Sequence, residues 1–217
     1  MSGFFLTGPS MAPASGGDPK SIVVILHGYG SNGLDLIALA PQWRQALPDT
    51  LFLAPNAPEP CPGAPDGYQW WPIRSFSMAE RMMGVAEAAP VLNGYLDNLL
   101  NRWKLDESRL ALVGFSQGTM LALHVATQRK APVAGVVGYS GMIADEEAFA
   151  KLKSKPPVLL VHGDADQVVP FQAFERARSL LEGQDFDLTT HVSRGLPHSI
   201  DQDGARLGGE FLRRVLA

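Results

Sequence analysis

The chain has a single cysteine, Cys61, among 217 residues. One thiol cannot close an intramolecular disulfide and, without companions, cannot build a thiolate metal site, which fits a reducing compartment. Charge is missing from the beginning of the chain: the first 17 residues carry no charged side chain, and no basic residue precedes Lys20. Ala12-Pro13-Ala14 has the look of a signal cleavage site. A secretory signal is nevertheless not expected, because its apolar core would be only Phe4-Phe5-Leu6, cut short by Gly8 and Pro9, with no basic segment before it. Long apolar runs are absent too. Ala131 to Ala144, the longest apolar-looking stretch, is interrupted by Pro132, Gly135, Gly138 and Gly141, so no membrane-spanning helix and no stable membrane insertion are expected. There is no basic excess: formal net charge is -4 and the isoelectric point about 5.7, which argues against a nucleic-acid partner. With 46% hydrophobic and 18% charged residues, residues 1–217 are expected to fold as one cytoplasmic domain around one core.

What the chain does have is a strand that runs into a tight glycine turn and then a helix. The apolar run Leu110 to Val113 meets Gly114-Phe115-Ser116-Gln117-Gly118 and passes into the helix-compatible segment Thr119 to Thr127. In a Gly-x-Ser-x-Gly elbow the serine occupies a strained turn, and the flanking glycines let strand and helix backbones approach without a Cβ clash. The hydroxyl is pushed out at the carboxyl edge of a sheet. The following helix aims its free N–H groups at the same point, where an oxyanion would form during acyl transfer. Ser116 is therefore the candidate nucleophile.

Upstream, Ser21 to Leu26 is a continuous apolar, β-branched-rich run of the kind buried on both faces of a parallel sheet. It ends in His27-Gly28-Tyr29-Gly30-Ser31-Asn32-Gly33, a loop whose backbone N–H groups can face a ligand. The backbone amides of Tyr29 and Gln117 are the candidate oxyanion donors. His27 is read as a brace for this loop, and His124, His162 and His191 as packing or surface groups. A helix from Leu34 to Leu47 and a strand from Leu51 to Ala54 follow. The segment Pro55 to Ser77 breaks the pattern: it is proline-rich and carries Trp70, Trp71, Ile73 and Phe76. Aromatic side chains at this density need burial or a ligand, and these four are read as the lip of an apolar acyl pocket. The same lip would serve as a homodimer contact. Ser77-Met78-Ala79-Glu80 is a capping-box pattern that should begin a helix reaching Lys104, kinked or divided at Pro90.

The acid and base come later. Val133 to Tyr139 and Pro157 to Val161 read as buried strands, and the second runs into His162-Gly163-Asp164-Ala165-Asp166-Gln167-Val168-Val169-Pro170. A triad acid must reach across the sheet edge to a histidine rather than brace its own loop, which favours Asp166 over Asp164. Val168, on the same loop, is counted with the substrate-side residues. A helix (Phe171 to Leu181) and a strand (Asp187 to Ser193) lead to Gly195-Leu196-Pro197-His198, before a last helix from Ile200 to Val215. His198 is the candidate general base. The order Ser116, Asp166, His198 is that of an α/β-hydrolase.

The motifs LHGYGSNG, GFSQG, HGDADQVVP and GLPHS, in this order, resemble the phospholipase/carboxylesterase family, which includes acyl-protein thioesterases and small bacterial carboxylesterases. The resemblance covers the chain from Ile22 onward. It implies a mostly parallel central sheet with helices on both faces, Ser116, Asp166 and His198 as the triad, and Tyr29 and Gln117 as oxyanion donors. It also implies small ester substrates with short or medium acyl chains and a mechanism with no metal and no cofactor. Acyl-protein thioesterase activity is the alternative within the family, and a non-catalytic hydrolase-fold binding protein the alternative outside it. The family often has two glycines after the elbow glutamine. Here Gly118 is followed by Thr119, which is expected to narrow the space beside the nucleophile.

Overall fold

Ile22, Val24 and Leu26 point to one side of the strand Ser21–Leu26, Val23 and Ile25 to the other, and all five are fully buried. A strand apolar on both faces has to lie inside a sheet covered on both sides, and the computed structural model, which describes residues 6–217, has that arrangement. The Phe4-Phe5 pair weighed as part of a signal core lies outside the described residues. Along the chain the elements are β1 (Ser10–Met11), β2 (Ser21–Leu26), α1 (Gly33–Ile37), α2 (Ala40–Arg44), β3 (Thr50–Leu53), β4 (Glu59–Pro60), β5 (Tyr68–Gln69) and α3 (Met78–Trp103). They continue with β6 (Leu110–Phe115), α4 (Gln117–Gln128), β7 (Gly135–Tyr139), α5 (Glu146–Phe149), β8 (Val158–Gly163), α6 (Phe171–Glu182), β9 (Leu188–Ser193) and α7 (Gln202–Leu216).

The main sheet has the strand order β1-β3-β2-β6-β7-β8-β9 and is parallel except for β1. One face is covered by α3, α4, α5 and α6, through side chains such as Val85, Leu92, Met120, Phe149 and Phe174. The other is covered by α1, α2 and α7, through Leu36, Trp43, Phe211 and Leu212. Parallel strands end at one edge, so the loops after β2, β6, β7, β8 and β9 gather there. In such sheets ligands bind outside the carboxyl ends of the strands.

Several local expectations are corrected. Leu34 to Leu47 is two short helices rather than one, with Pro41 near the start of α2, where its missing N–H costs nothing. The Gly/Pro/Ser-rich segment Gly8 to Pro19 contributes β1, an edge strand that pairs antiparallel with β3. Helix α3 runs unbroken through Pro90. Pro90 and Ala86, whose carbonyl loses its donor, are both exposed, so water can satisfy the freed group. The capping pair at its start is half as expected. Ser77 Oγ accepts from the Glu80 N–H at 3.2 Å, but the Glu80 carboxylate accepts from the N–H groups of Arg74, Ser75 and Phe76 and so ties down the preceding turn.

Candidate active site

Ser116 joins β6 to α4 with φ 54° and ψ -114°, a conformation that non-glycine residues rarely adopt. Strain of this kind persists only where the surroundings enforce it. The Ser116 N–H donates to Tyr139 O on the neighbouring strand at 2.9 Å, while a side chain at Gly114 would overlap the Thr119 nitrogen and one at Gly118 the Leu26 carbonyl. Only glycines allow this approach of strand and helix. Gln117 is the first residue of α4, so its N–H has no acceptor within the helix. On the other side of the serine, a Cβ at Gly28 would lie 3.2 Å from Ser116 Cβ, so the backbone just before Tyr29 packs directly on the elbow. Among the described residues the Tyr29 N–H has no backbone partner. Two free amides thus flank the serine, on α4 and on the loop after β2.

The structure brings the candidate acid and base together. His198 Nδ1 lies 2.7 Å from Asp166 Oδ2, with the Asp166 side chain fully buried and that of His198 17% exposed. The other oxygen, Asp166 Oδ1, accepts from the N–H groups of Val168 at 2.8 Å and Val169 at 2.9 Å. These bonds satisfy the acceptor capacity of a buried carboxylate. Asp164 serves differently: its Oδ1 accepts from the N–H of Gly195, bracing the turn that leads to His198. The imidazole of His198 packs on Phe115, with ring centroids 4.8 Å apart, which sets the base beside the elbow. No hydrogen bond joins Ser116 to His198 among the described residues; contacts of this kind tighten in the substrate complex.

His162, read as a packing residue, is buried against Asp166. Its Nε2 is 2.9 Å from Val169 O and 3.4 Å from Asp166 Oδ2, and burial lowers its pKa, so a neutral ring donates to the Val169 carbonyl. Its position four residues before Asp166, at a strand end, was the available signal. His27 accepts from the Ala57 N–H through Nε2 at 2.9 Å and faces Gly28 O through Nδ1 at 2.7 Å. Burial lowers its pKa as well, so it is a neutral loop brace.

Of the aromatic lip, Trp70 and Trp71 are buried, although Trp71 also borders an open hollow of about 330 Å³ together with Pro72, Arg74 and Met83. They are 3% and 2% exposed, members of the core under α3. Trp70 donates from Nε1 to His27 O at 3.0 Å, and Trp71 lies against Gly84 of α3, where only a glycine leaves room for the indole. The side chain of Gln117 ties this segment to the elbow: Oε1 accepts from the Trp70 N–H at 3.0 Å and Nε2 donates to Trp71 O at 2.8 Å. Nothing in the sequence marked that link. Ile73 is partly buried against the same core, whereas Val168 is 59% exposed beside Asp166. Phe76 lines a groove of about 430 Å³ together with Met142, Ile143, Pro170 and Ala173. None of Ser116, Asp166 and His198 lines the groove, but it adjoins the segments that hold them: Met142 follows Gly141, which packs near the Ser116 carbonyl, and Pro170 follows Val169, whose N–H donates to Asp166. A larger hollow of about 530 Å³ between α2 and α7, lined by Trp43 and Arg206, holds none of these residues.

Thr119 does not narrow the space in front of the serine. Its side chain is fully buried, pointing at β7, where Oγ1 donates to Tyr139 O at 2.8 Å and the methyl fills the space left by Gly138 and Gly141. The same strand end holds the base loop: Ser140, with φ 48°, donates from Oγ to Ser199 O at 3.3 Å.

Known proteins share this arrangement of chain. The crystal structure of esterase PE8 superposes with a TM-score of 0.92 and is 44% identical, covering 97% of this chain and 99% of that one. Acyl-protein thioesterase 1 from Neurospora crassa is 28% identical over 195 residues, covering 82% of this chain and 79% of that protein. Esterase YpfH from Escherichia coli is 23% identical over 197 residues, covering 91% and 84%. The sequence model of the Phospholipase/Carboxylesterase family matches residues 12–216. With its mostly parallel sheet, its elbow at the end of β6 and this match over nearly its whole length, the chain belongs to the phospholipase/carboxylesterase family of α/β-hydrolases.

Proposed function

We propose that this protein is a serine carboxylesterase that hydrolyses esters of short to medium acyl chain through an acyl-enzyme on Ser116. The observation that carries the reading is the 2.7 Å contact between His198 and the buried, doubly bonded Asp166 carboxylate, next to a serine held at an elbow. In the first step His198 Nε2 takes the Ser116 proton as Oγ attacks the ester carbonyl, and Asp166 holds the Nδ1–H tautomer and stabilises the imidazolium. The N–H groups of Tyr29 and Gln117 receive the oxyanion; loss of one such donor commonly costs about 10²–10³ in turnover. The tetrahedral intermediate collapses, the leaving alcohol takes the proton from His198, and water repeats the attack on the acyl-enzyme. The groove beside Phe76, Met142 and Pro170 offers the apolar acyl arm a place to lie. Thioester hydrolysis by the same residues is the second reading, favoured by the thioesterase names of several relatives. The free, buried Cys61 fits a reducing compartment, which is why we place the protein in the cytoplasm. Among the described residues no helix is long and apolar enough to cross a membrane.

Hydrolysis of p-nitrophenyl esters from acetate to palmitate, with Ser116→Ala in parallel, tests the proposal. A maximum at short or medium chains that disappears in the variant is expected. Full activity in a pure, folded Ser116→Ala protein would sink it, and a fluorophosphonate probe that labels wild type but not the variant would place the nucleophile.

A further inference from the structure

Arg81, on the first turn of α3, faces the groove that adjoins the segments holding the triad. The groove is lined by the apolar side chains of Phe76, Met142, Ile143, Pro170 and Ala173 and by two guanidinium groups, Arg81 and Arg176, and one carboxylate, Glu146. One guanidinium is already paired. Arg176 meets Glu146 through two bonds, Nε to Oε1 at 3.0 Å and Nη2 to Oε2 at 2.5 Å, so both carboxylate oxygens are used. Arg81 is different. It makes no ion pair among the described residues; its Nη1 donates to Phe76 O at 2.6 Å, its guanidinium lies 5.4 Å over the Phe76 ring, and its Nε is buried with no partner.

The guanidinium is also held in place. The Glu80 carboxylate accepts three N–H groups from residues 74 to 76, and Phe76 has φ 54°, which together aim the Phe76 carbonyl at Arg81. A buried donor without an acceptor is costly, and a planar guanidinium fork is matched by a carboxylate. The buried Nε is out of a ligand's reach, but Nη2 makes no hydrogen bond among the described residues, so a chain ending in a carboxylate would lie along the apolar lining and pair with the Nη edge of the guanidinium, which a neutral acyl chain leaves unpaired.

We propose that Arg81 adapts the acyl groove to esters whose acyl chain ends in a carboxylate, that is, half-esters of aliphatic dicarboxylic acids. This rests on the reading of Ser116 as the acylated residue, because the triad then fixes one end of the acyl chain and Arg81 the other. The alcohol arm leaves toward solvent and carries no charge requirement.

The test compares kcat/KM for mono-p-nitrophenyl adipate with that for p-nitrophenyl hexanoate, in the full-length protein and in Arg81→Gln and Arg81→Lys. Both rates come from one sample, so their ratio is insensitive to any loss of folded protein. The ratio is expected to fall about tenfold in Arg81→Gln, as for a lost hydrogen bond to a charged group, and less in Arg81→Lys, which keeps the charge without the fork. Hexanoate hydrolysis with a ratio unchanged by Arg81→Gln would overturn the inference alone. So would a charge preference confined to esters that carry the carboxylate on the alcohol. Hydrolysis of neither ester, with no fluorophosphonate labelling of Ser116, would overturn the esterase reading and this inference with it.

Discussion

The amide of Ser116 and the hydroxyl of Thr119 donate to one acceptor, the carbonyl of Tyr139, at 2.9 and 2.8 Å. The strained elbow is thereby bolted to the neighbouring strand at two points one helical turn apart. Thr119→Val keeps the shape and removes one bolt. It should cost about 1 kcal/mol in urea unfolding and lower kcat more than it changes KM, with Thr119→Ser close to wild type in kcat. Equal kinetics for Val and Ser would show that the hydroxyl has no positioning role.

The Thr119 Cβ and methyl both occupy the space that a side chain at Gly141 would need. Gly141→Ala alone should destabilise by roughly 1–3 kcal/mol through overpacking. In a Thr119→Ala background the same change should cost less, with a coupling of about 0.5–3 kcal/mol in a double-mutant cycle. Additive effects would mean that the Cβ at position 119, which alanine keeps, and not the methyl, sets the limit.

Asp164 and Asp166 stand two residues apart on one loop but serve different partners, Gly195 and His198. Asp166→Asn should reduce kcat by about 10⁴, the scale set by a wrong imidazole tautomer in such a triad. Asp164→Ala should instead lower stability by about 1 kcal/mol and change kcat only a few-fold, since it removes a turn brace. A reversal of the two effects would exchange their roles.

His27, His124 and His162 all have pKa values lowered by burial. In each case the unfolded chain binds a proton that the folded chain refuses, so stability is complete above the unfolded value near 6.5 and declines as pH falls below it. The limiting slope is about 1.4 kcal/mol per pH unit for each histidine. Melting temperatures across pH 5 to 8 should therefore drop on the acid side, with a shallower drop in His124→Gln. A melting temperature flat across that range would contradict neutral burial.

Gln117 supplies an oxyanion candidate through its backbone and a tether through its side chain. Gln117→Ala strands the Trp70 N–H and the Trp71 carbonyl in the core, which should cost roughly 2–4 kcal/mol. The backbone amide is unaffected, so kcat of the folded fraction should fall far less than in Asp166→Asn. Active-site titration with a fluorophosphonate separates the two quantities.

Much of the molecule is determined by local sequence. The apolar runs that end in glycine loops specify the parallel strands, and glycines at 114 and 118 are required by backbone contacts that any side chain would break. The elbow and the strand-end loops that carry Asp166 and His198 were readable because they depend on neighbours in the chain. Tertiary structure decided whatever depends on partners distant in sequence. Trp70 and Trp71 look like a substrate lip in a proline-rich loop, but the Gln117 side chain, 46 and 47 residues away, draws both into the core. Thr119 looks like an obstruction at the nucleophile, yet the carbonyl that orients it belongs to the adjacent strand. Hydrophobic periodicity reports which face of an element is buried, not which buried neighbour satisfies a hydrogen bond. Only the packed sheet edge assigned those partners.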